Sequence, residues 1–144
     1  MEKIRVLFIC GHNSGRSQMA EAFLKDFGGD GFHIESAGLT PKPINPLVVE
    51  VMQELGYDLS RARSDSVFEF FREGRLYDYV ITVCDGTAAG QCPVFPGITQ
   101  RMHWPFADPE ALTGSREAKL AMLRGIRDQI RAKLIDWLKT LPTL

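Results

Sequence analysis

The sequence is short of cysteine, of net charge and of long apolar runs, and each shortage excludes a class of protein. Its 144 residues include three cysteines, an odd number that argues against a structural disulfide framework and for reduced or redox-active thiols. A formal net charge of −1 gives no general field to concentrate nucleic acid or an anionic membrane, so anion binding needs a local site. The longest early apolar run, residues 6–10, is too short for a signal peptide or for a membrane span of about 20 residues. We therefore expect a cytoplasmic protein with neither nucleic acid nor a membrane as partner.

The chain does contain enough apolar side chain, at 44% hydrophobic residues, for one compact domain covering residues 1–144. Apolar runs predict strands over residues 3–9, 32–37, 77–83 and 101–104. Apolar side chains at helical spacing predict helices over residues 17–27, 46–55, 65–71 and 115–140, with Asn45 and Ser64 as caps of the second and third. Strands that alternate with helices indicate an α/β fold with a parallel sheet and a ligand site beyond the carboxyl ends of the strands.

Three arginines, Arg124, Arg127 and Arg131, lie beside the apolar face of the last predicted helix. We interpret this stripe as the solvated flank of an amphipathic helix, with the docking of a partner as the alternative.

The most informative segment is the run from Cys10 to Ser17, which joins the first predicted strand to the first predicted helix. A cysteine, five residues and an arginine can close into a loop whose N–H groups converge on one oxyanion, and the helix N-terminus adds positive potential. The same potential favours a reactive thiolate at Cys10, with the Ser17 hydroxyl near the sulfur. The predicted oxyanion-binding residues are Gly11, Asn13, Ser14, Gly15 and Arg16. The alternative is a buried cysteine followed by an ordinary surface turn.

Arg16 and Asp108 complete a set that can displace an oxygen from a tetrahedral anion. The planar guanidinium of Arg16 can grip two oxygens and stabilise the charge that builds during attack. Asp108, which follows the fourth predicted strand, is the candidate acid that protonates the departing oxygen. An ordinary Asp-Pro turn is the alternative interpretation of Asp108 and Pro109.

Residues 10–21 resemble the signature of arsenate reductases built on the low-molecular-weight tyrosine phosphatase fold. Similar landmarks continue along nearly the whole chain, at residues 35–38, 64–65, 103–104 and 108–109 and at Cys84 and Cys92, which flank a loop. The resemblance implies a three-layer α/β sandwich with a four-stranded parallel sheet in the order 2-1-3-4. The phosphatase branch typically carries tyrosines after the Asp-Pro pair, where this chain has Glu110 and Ala111.

The resemblance also implies a cascade of three thiols that reduces arsenate to arsenite. Cys10 attacks arsenate, Cys84 then attacks the sulfur of Cys10, and Cys92 attacks Cys84 to leave a redox-active Cys84–Cys92 disulfide. Thioredoxin, or a similar dithiol donor, would reduce that disulfide, and phosphate or sulfate would compete with arsenate. For Cys84 and Cys92 the alternative is two small buried hydrophobic residues.

A potassium ion is bound beside the catalytic loop in some of these reductases, and no other cofactor is expected to be tightly bound. The matching residues here are Asn13, Glu21, Ser36 and Asp65, which could equally brace the loop and the helix starts. Relatives often have a cysteine where this chain has Gly15 and a small residue where it has His12. We expect His12 to point outward, with tuning of the charge of the site as the alternative.

Two other functions remain open on the sequence alone. Phosphate and arsenate are nearly isosteric, so a phosphatase acting on phosphotyrosine or on small phosphate esters would use the same loop. A non-catalytic oxyanion sensor, in which the cysteine pair reports redox state, is the second alternative.

Overall fold

A four-stranded parallel sheet forms the centre of the molecule, for which the computed structural model describes residues 3–84, 95–97 and 99–141. The strands are β1 (Ile4–Cys10), β2 (Phe32–Gly38), β3 (Tyr79–Thr82) and β4 (Gln100–His103). Their order is β2-β1-β3-β4, as the sequence predicts. The central strand β1 is paired on both sides, with Cys10 opposite Gly38 and Ile9 opposite Thr82.

Helices cover both faces of this sheet and make the three layers that the resemblance implies. They are α1 (Arg16–Gly28), α2 (Pro46–Gln53), α3 (Val67–Arg72) and α4 (Arg116–Thr140), with short 3₁₀ turns at Gly29–Gly31 and Pro109–Ala111. Alternate side chains of a strand point to opposite faces, so Val6, Phe8 and Cys10 pack with α1, α2 and α4. Leu7 and Ile9 pack with α3 on the other face.

The third helix begins later than the sequence predicts. It starts at Val67 and is capped by Ser66, whose hydroxyl accepts a hydrogen bond from the Phe68 N–H, whereas the sequence prediction placed the start at residue 65 and the cap near Ser64. The reason is tertiary, because the Asp65 carbonyl accepts from the Gly38 N–H at 2.8 Å and the Asp65 N–H donates to Asn13 Oδ1 at 2.9 Å. These bonds hold residue 65 beside the end of β2, where Ser66 forms an isolated parallel bridge with Gly38. The second helix is also shorter than predicted, since it ends at Gln53.

The arginine stripe on α4 is an internal contact, and the prediction of a solvated flank is wrong for its central member. Arg127 is only 7% exposed and donates to the Val51 carbonyl and to Glu54 Oε1, each at 2.8 Å. Arg124 forms a bidentate pair with Glu54, through Nε to Oε1 and Nη2 to Oε2, and the hydrogen bond from Arg124, together with Arg127, lowers the pKa of Glu54 to about 2. Arg131 lies over the Phe27 ring. The stripe therefore docks α4 onto α2 and α1.

Within the described ranges, no helix is long and apolar enough to span a membrane.

Candidate active site at the carboxyl end of the central strand

Residues 10–17, here called the cysteine loop, leave β1 and enter α1 with their carbonyl groups turned away from the centre of the loop. Each carbonyl from residue 10 to residue 14 accepts a hydrogen bond from outside the loop. Four of the donors are backbone N–H groups, at 2.8–3.2 Å: Leu39 donates to Cys10, Thr40 to Gly11, Lys42 to His12 and Asn45 to Ser14. The Asn13 carbonyl accepts from the side chains of Gln18 and Ser64 at 3.0–3.1 Å. Because a peptide's N–H points opposite to its C=O, this arrangement turns N–H groups toward the interior of the loop.

The start of α1 adds further N–H donors to the same interior. The cap position is Gly15, which has no side chain to bind them, and its carbonyl accepts a hydrogen bond from the Met19 N–H at 2.9 Å. The first N–H groups of a helix have no intrahelical acceptor, so those of residues 16–18 are available to an anion. The loop and the helix start therefore form an anion-binding cradle.

The sulfur of Cys10 lies at the base of this cradle. Its side chain is buried, at 2% exposure, and the Asn13 N–H donates to Cys10 Sγ at 3.1 Å. Ser17 Oγ is 2.9 Å from Cys10 Sγ and accepts a hydrogen bond from Asn13 Nδ2 at 2.7 Å, which leaves the Ser17 hydroxyl hydrogen free for the sulfur. Two hydrogen-bond donors are thus aimed at this one sulfur.

Arg16 connects the cysteine loop to residues 104–110, here called the acid loop. Its buried guanidinium donates to the Phe106 carbonyl at 3.0 Å and lies 3.6 Å from Asp108 Oδ1. Asp108 also accepts from the Glu110 N–H at 2.9 Å and so caps the 3₁₀ turn that begins at Pro109. The candidate acid is thus held next to the candidate anion-binding arginine, as the sequence predicts for both.

The two loops enclose a cleft in which two further residues take part. The cleft is lined by Cys10, His12, Ser14, Gly15, Arg16, Asp108, Pro109 and Glu110. His12 hydrogen-bonds to the Thr40 carbonyl through Nδ1 at 3.0 Å and lines the cleft, so the expectation that it points outward is wrong. Glu110 is an exposed residue at the rim. The sequence analysis left both out of the site, although the position of Glu110, where the phosphatase branch has tyrosine, was a signal.

Asn13 braces the cysteine loop from below. It is fully buried, has a positive φ of 53°, and donates through Nδ2 to Ser17 Oγ and to Ser36 Oγ, the latter at 2.9 Å. Asparagine tolerates this left-handed conformation better than most residues. The side chain of Asn13 points away from the cradle into this brace, and its backbone N–H donates to Cys10 Sγ, so the structure directs Asn13 to the sulfur and to the brace.

The four residues suggested for potassium belong to one hydrogen-bonded network around this brace. Ser36 donates to the Glu21 carboxylate, and the Asp65 N–H donates to Asn13 Oδ1. The carboxylates of Glu21 and Asp65 are also paired with Lys25 and Arg63. Among the described residues, no group of three or more His, Cys, Asp or Glu side chains is placed to hold a metal ion.

Gly38 is a residue of the site that the sequence analysis noted as a landmark without giving it a role. A Cβ atom at this position would lie 2.6 Å from the Asn13 nitrogen and 2.6 Å from the His12 carbonyl carbon. Both are backbone atoms that cannot move aside without opening the cysteine loop. The end of β2 must therefore be glycine for the loop to pass over it.

The structure describes one of the other two candidate cysteines, and that one is not brought into the cleft. Cys84 is a free, buried cysteine at the end of β3, directly after Val83, whose N–H donates to the Ile9 carbonyl at 2.9 Å. It is therefore beside the end of β1, but it does not line the cleft around Cys10. Cys92 lies outside the described residues, as does the loop that precedes it.

A doubly covered parallel sheet with a nucleophilic cysteine, an arginine and a carboxylic acid at its carboxyl edge defines a class of α/β enzyme that attacks tetrahedral oxyanions through sulfur. The chain belongs to the low molecular weight phosphotyrosine protein phosphatase family, whose model matches residues 5–143. This membership confirms the resemblance that the sequence motifs carry.

Relatives named as arsenate reductases match almost the full chain. The arsenate reductase of Halalkalibacterium halodurans is 38% identical over 140 residues, which are 97% of this chain and 99% of that protein. A solved structure described as an arsenate reductase in the phosphate binding state has a TM-score of 0.76 at 29% identity, with 96% of this chain and 99% of that chain covered. The thioredoxin-dependent arsenate reductase of Corynebacterium glutamicum has a TM-score of 0.68 at 31% identity, with 97% of this chain and 64% of that chain covered.

Proposed function

We propose that this protein is an arsenate reductase that works through Cys10, Cys84 and Cys92, with thioredoxin as its reductant. The observation that carries the proposal is the cradle of N–H groups around the buried Cys10 sulfur, with a second free cysteine at the end of the adjacent strand. The near-full-length relatives that are arsenate reductases support the same reaction.

In the first step, the Cys10 thiolate attacks the arsenic of bound arsenate. A sulfur–arsenic bond forms and an arsenic–oxygen bond breaks, while Asp108 gives its proton to the departing hydroxyl, which leaves as water. Arg16 and the N–H groups of the cradle stabilise the charge on the remaining oxygens. The position of Asp108 beside Arg16, at 3.6 Å, supports this division of roles.

In the second step, the Cys84 thiolate attacks the sulfur of Cys10. A Cys10–Cys84 disulfide forms, the sulfur–arsenic bond breaks, and its electron pair stays on arsenic, which passes from the +5 to the +3 state and leaves as arsenite. The parallel pairing of β1 with β3 supports this step, because it places both cysteines at one edge of the sheet. For this step the sulfur atom of Cys84 must come within bonding distance of Cys10 Sγ.

In the third step, the Cys92 thiolate attacks Cys84 and releases Cys10 as a thiolate. The resulting Cys84–Cys92 disulfide is reduced by a dithiol, whose two thiols supply two electrons and two protons and end as a disulfide. We assign this role to thioredoxin because the structurally similar protein from Corynebacterium glutamicum is thioredoxin-dependent.

Thiol counting after a single turnover tests the redox mechanism. The fully reduced chain, with three thiols, should lose two of them per arsenate and release one arsenite. A Cys92→Ser variant should also release one arsenite and then stop, because its Cys10–Cys84 disulfide has no internal thiol to reopen it. An unchanged thiol count in the wild-type protein would rule the mechanism out. Multiple-turnover assays with thioredoxin, and separately with a low-molecular-weight thiol, then identify the donor.

Phosphatase activity is a second candidate, favoured by the match to the phosphatase family model. The first step is common to both reactions, because Cys10, Arg16 and Asp108 would act on a phosphate ester as they act on arsenate. An aryl phosphate assayed with the Cys84→Ser variant separates the two activities. Hydrolysis should not depend on Cys84, whereas arsenite release should require it.

We also propose that oxygen atoms of Asn13, Glu21, Ser36 and Asp65 hold a potassium ion. The hydrogen bonds that join Asn13 to Ser36 and Asp65, and Ser36 to Glu21, bring these residues together under the cysteine loop. A bound cation there would strengthen the brace of the loop and add positive potential behind it. A rise in the thermal midpoint in potassium chloride over sodium chloride, lost in Glu21→Gln, is the expected result.

A further inference from the structure

The rim of the cleft carries a carboxylate that the reaction above does not use. Glu110 lines the cleft together with Cys10, Arg16 and Asp108. Glu110 Oε1 lies 3.5 Å from Ser14 Oγ and 3.4 Å from Asn45 Nδ2, so it spans from the acid loop to the cysteine loop. A negative charge at the mouth of an anion site repels every anion that enters. A favourable contact between Glu110 and the bound anion would offset this repulsion.

Within the described part of the chain, the contacts of Glu110 leave its carboxylate able to accept a further hydrogen bond. Its contacts to Ser14 and Asn45, at 3.5 and 3.4 Å, are long for hydrogen bonds, whose usual donor–acceptor distance is about 2.5–3.2 Å. A hydroxyl group carried by a bound anion could approach more closely than either. Such a bond to a charged acceptor is stronger than a neutral one.

The neighbouring carboxyl group cannot take this role. Asp108 must carry a proton to act as the acid, and its Oδ1 already accepts from the Glu110 N–H at 2.9 Å and faces Arg16. The backbone of Glu110 therefore positions the proton donor, while its side chain offers the proton acceptor on the same rim.

We propose that Glu110 is a specificity-determining residue that selects oxyanions carrying an O–H group, an inference that rests on the proposed function. Arsenate and phosphate keep at least one proton at neutral pH, and that O–H can donate to the Glu110 carboxylate. Sulfate has no proton at neutral pH, and the dianion of a phosphate monoester has none either. The Glu110 carboxylate therefore repels both anions, and no hydrogen bond offsets the repulsion. Glu110 thus admits free arsenate and phosphate and disfavours the sulfate and the esters that the same cradle could otherwise hold.

Calorimetric titration of the reduced protein with inorganic phosphate and with sulfate, at constant ionic strength, tests the proposal. The wild-type protein should bind phosphate more tightly than sulfate. In Glu110→Gln and in Glu110→Ala the phosphate-over-sulfate ratio of affinities should fall about tenfold, the scale of one hydrogen bond to a charged group. Glu117→Gln is the matched control, because it removes the same charge from a side chain that is 81% exposed and pairs with Arg116, and it should keep the wild-type ratio.

The proposal is overturned if the wild-type protein binds both anions alike, or if either Glu110 variant keeps the wild-type ratio. Binding of these anions requires no electron transfer, so the ratio can be measured even if the chain produces no arsenite. A failure of the proposed function and a failure of this inference are therefore distinguishable.

Discussion

The two loops that enclose the cleft are held in different ways. The cysteine loop is fixed by hydrogen bonds of 2.8–3.2 Å on each of its carbonyls from residue 10 to residue 14 and by the buried side chain of Asn13. The acid loop meets the cysteine loop through Arg16 and through the longer contacts of Glu110. The nucleophile thus lies on a pre-organised loop, whereas the acid is positioned partly by the arginine that is expected to bind substrate.

This difference indicates how the cleft can respond to its ligand. The guanidinium of Arg16 now uses one terminal nitrogen for Phe106 and the other for Asp108, and a bidentate grip on an anion would compete with both contacts. We therefore expect the acid loop to adjust on binding while the cysteine loop keeps its conformation. The variants below separate the two loops, from the largest expected effect to the smallest.

Replacing the nucleophile should abolish the reaction without disturbing the loop that holds it. Serine has nearly the shape of cysteine, so Cys10→Ser should keep the contacts to Asn13 and Ser17 and the fold. Its hydroxyl is a far weaker nucleophile at neutral pH, and we expect arsenite release to fall by at least about a thousandfold. Arsenite production and circular dichroism measure the two effects. Substantial activity in this variant would remove Cys10 from the centre of the mechanism.

Replacing the acid should slow the chemistry and leave the acid loop in place. In Asp108→Asn the side-chain oxygen can still accept from the Glu110 N–H and cap the turn, but it has no proton to donate. We expect the rate of thiol–arsenate formation to fall by about 10²- to 10⁴-fold, with a thermal midpoint close to that of the wild-type protein. Rapid-mixing kinetics with excess arsenate measure this rate.

Asp58→Asn is the matched control for Asp108→Asn. Asp58 holds a turn in the same way, by accepting from the Ser60 N–H at 2.9 Å, and it does not line the cleft. Its substitution should leave the rate unchanged. If Asp108→Asn is as fast as this control, the leaving oxygen takes its proton from another source.

Much of the cysteine loop could be predicted from the sequence because the information is local. Cys10, Arg16 and the start of α1 lie within seven residues, and strand and helix patterns flank them on both sides. The sheet order β2-β1-β3-β4 agreed with the order that the family resemblance implies, whereas the turn residues and helices between the strands indicated only their number and approximate bounds. Asp108 was found from its place after the fourth strand.

What the sequence could not provide are the contacts that close the loop from a distance. Residues 39–45 have no regular pattern, yet their N–H groups fix the loop carbonyls, and Gly38 matters only because the loop passes over it. Arg127 was assigned to solvent because three arginines in a row on a helix face usually lie there. Its partner, Glu54, is 73 residues away and cannot be recognised by spacing.

A side chain added at Gly38, where the cysteine loop passes over the end of β2, should distort this loop more than a surface substitution would. The Cβ of Gly38→Ala would overlap backbone atoms of His12 and Asn13 at 2.6 Å, and we expect a loss of about 1–3 kcal/mol in the free energy of unfolding. Arsenate affinity should fall as well, because the N–H groups of the cradle are displaced. Denaturant unfolding and phosphate titration measure the two effects.

Gly125→Ala is the control for Gly38→Ala, with an effect of opposite sign. Gly125 lies within α4, and a Cβ there would meet no heavy atom within 4 Å. Alanine favours a helix over glycine by about 0.8–1.0 kcal/mol, so this variant should be more stable than the wild-type protein. If Gly38→Ala gains stability in the same way, the close approach between β2 and the cysteine loop does not constrain residue 38.

The smallest effect is expected at the helix that touches both loops. The Asn45 side chain caps α2 and contacts Glu110, and the Asn45 N–H donates to the Ser14 carbonyl. At its other end, α2 is docked on α4 through Glu54.

The hydrogen bond from Arg124 is the largest cause that lowers the pKa of Glu54 from 4.5 to about 2. A pKa that is lower in the folded than in the unfolded chain means that the charged carboxylate stabilises the fold above pH 4.5, and that this contribution is lost as the pH falls toward about 2. Glu54→Gln should therefore melt slightly below the wild-type protein at neutral pH, by at most a few degrees because the pair is partly exposed. The gap should close between pH 4.5 and about 2 in thermal melts, whereas a gap that persists unchanged through this range would show that packing, and not the ion pair, joins α2 to α4.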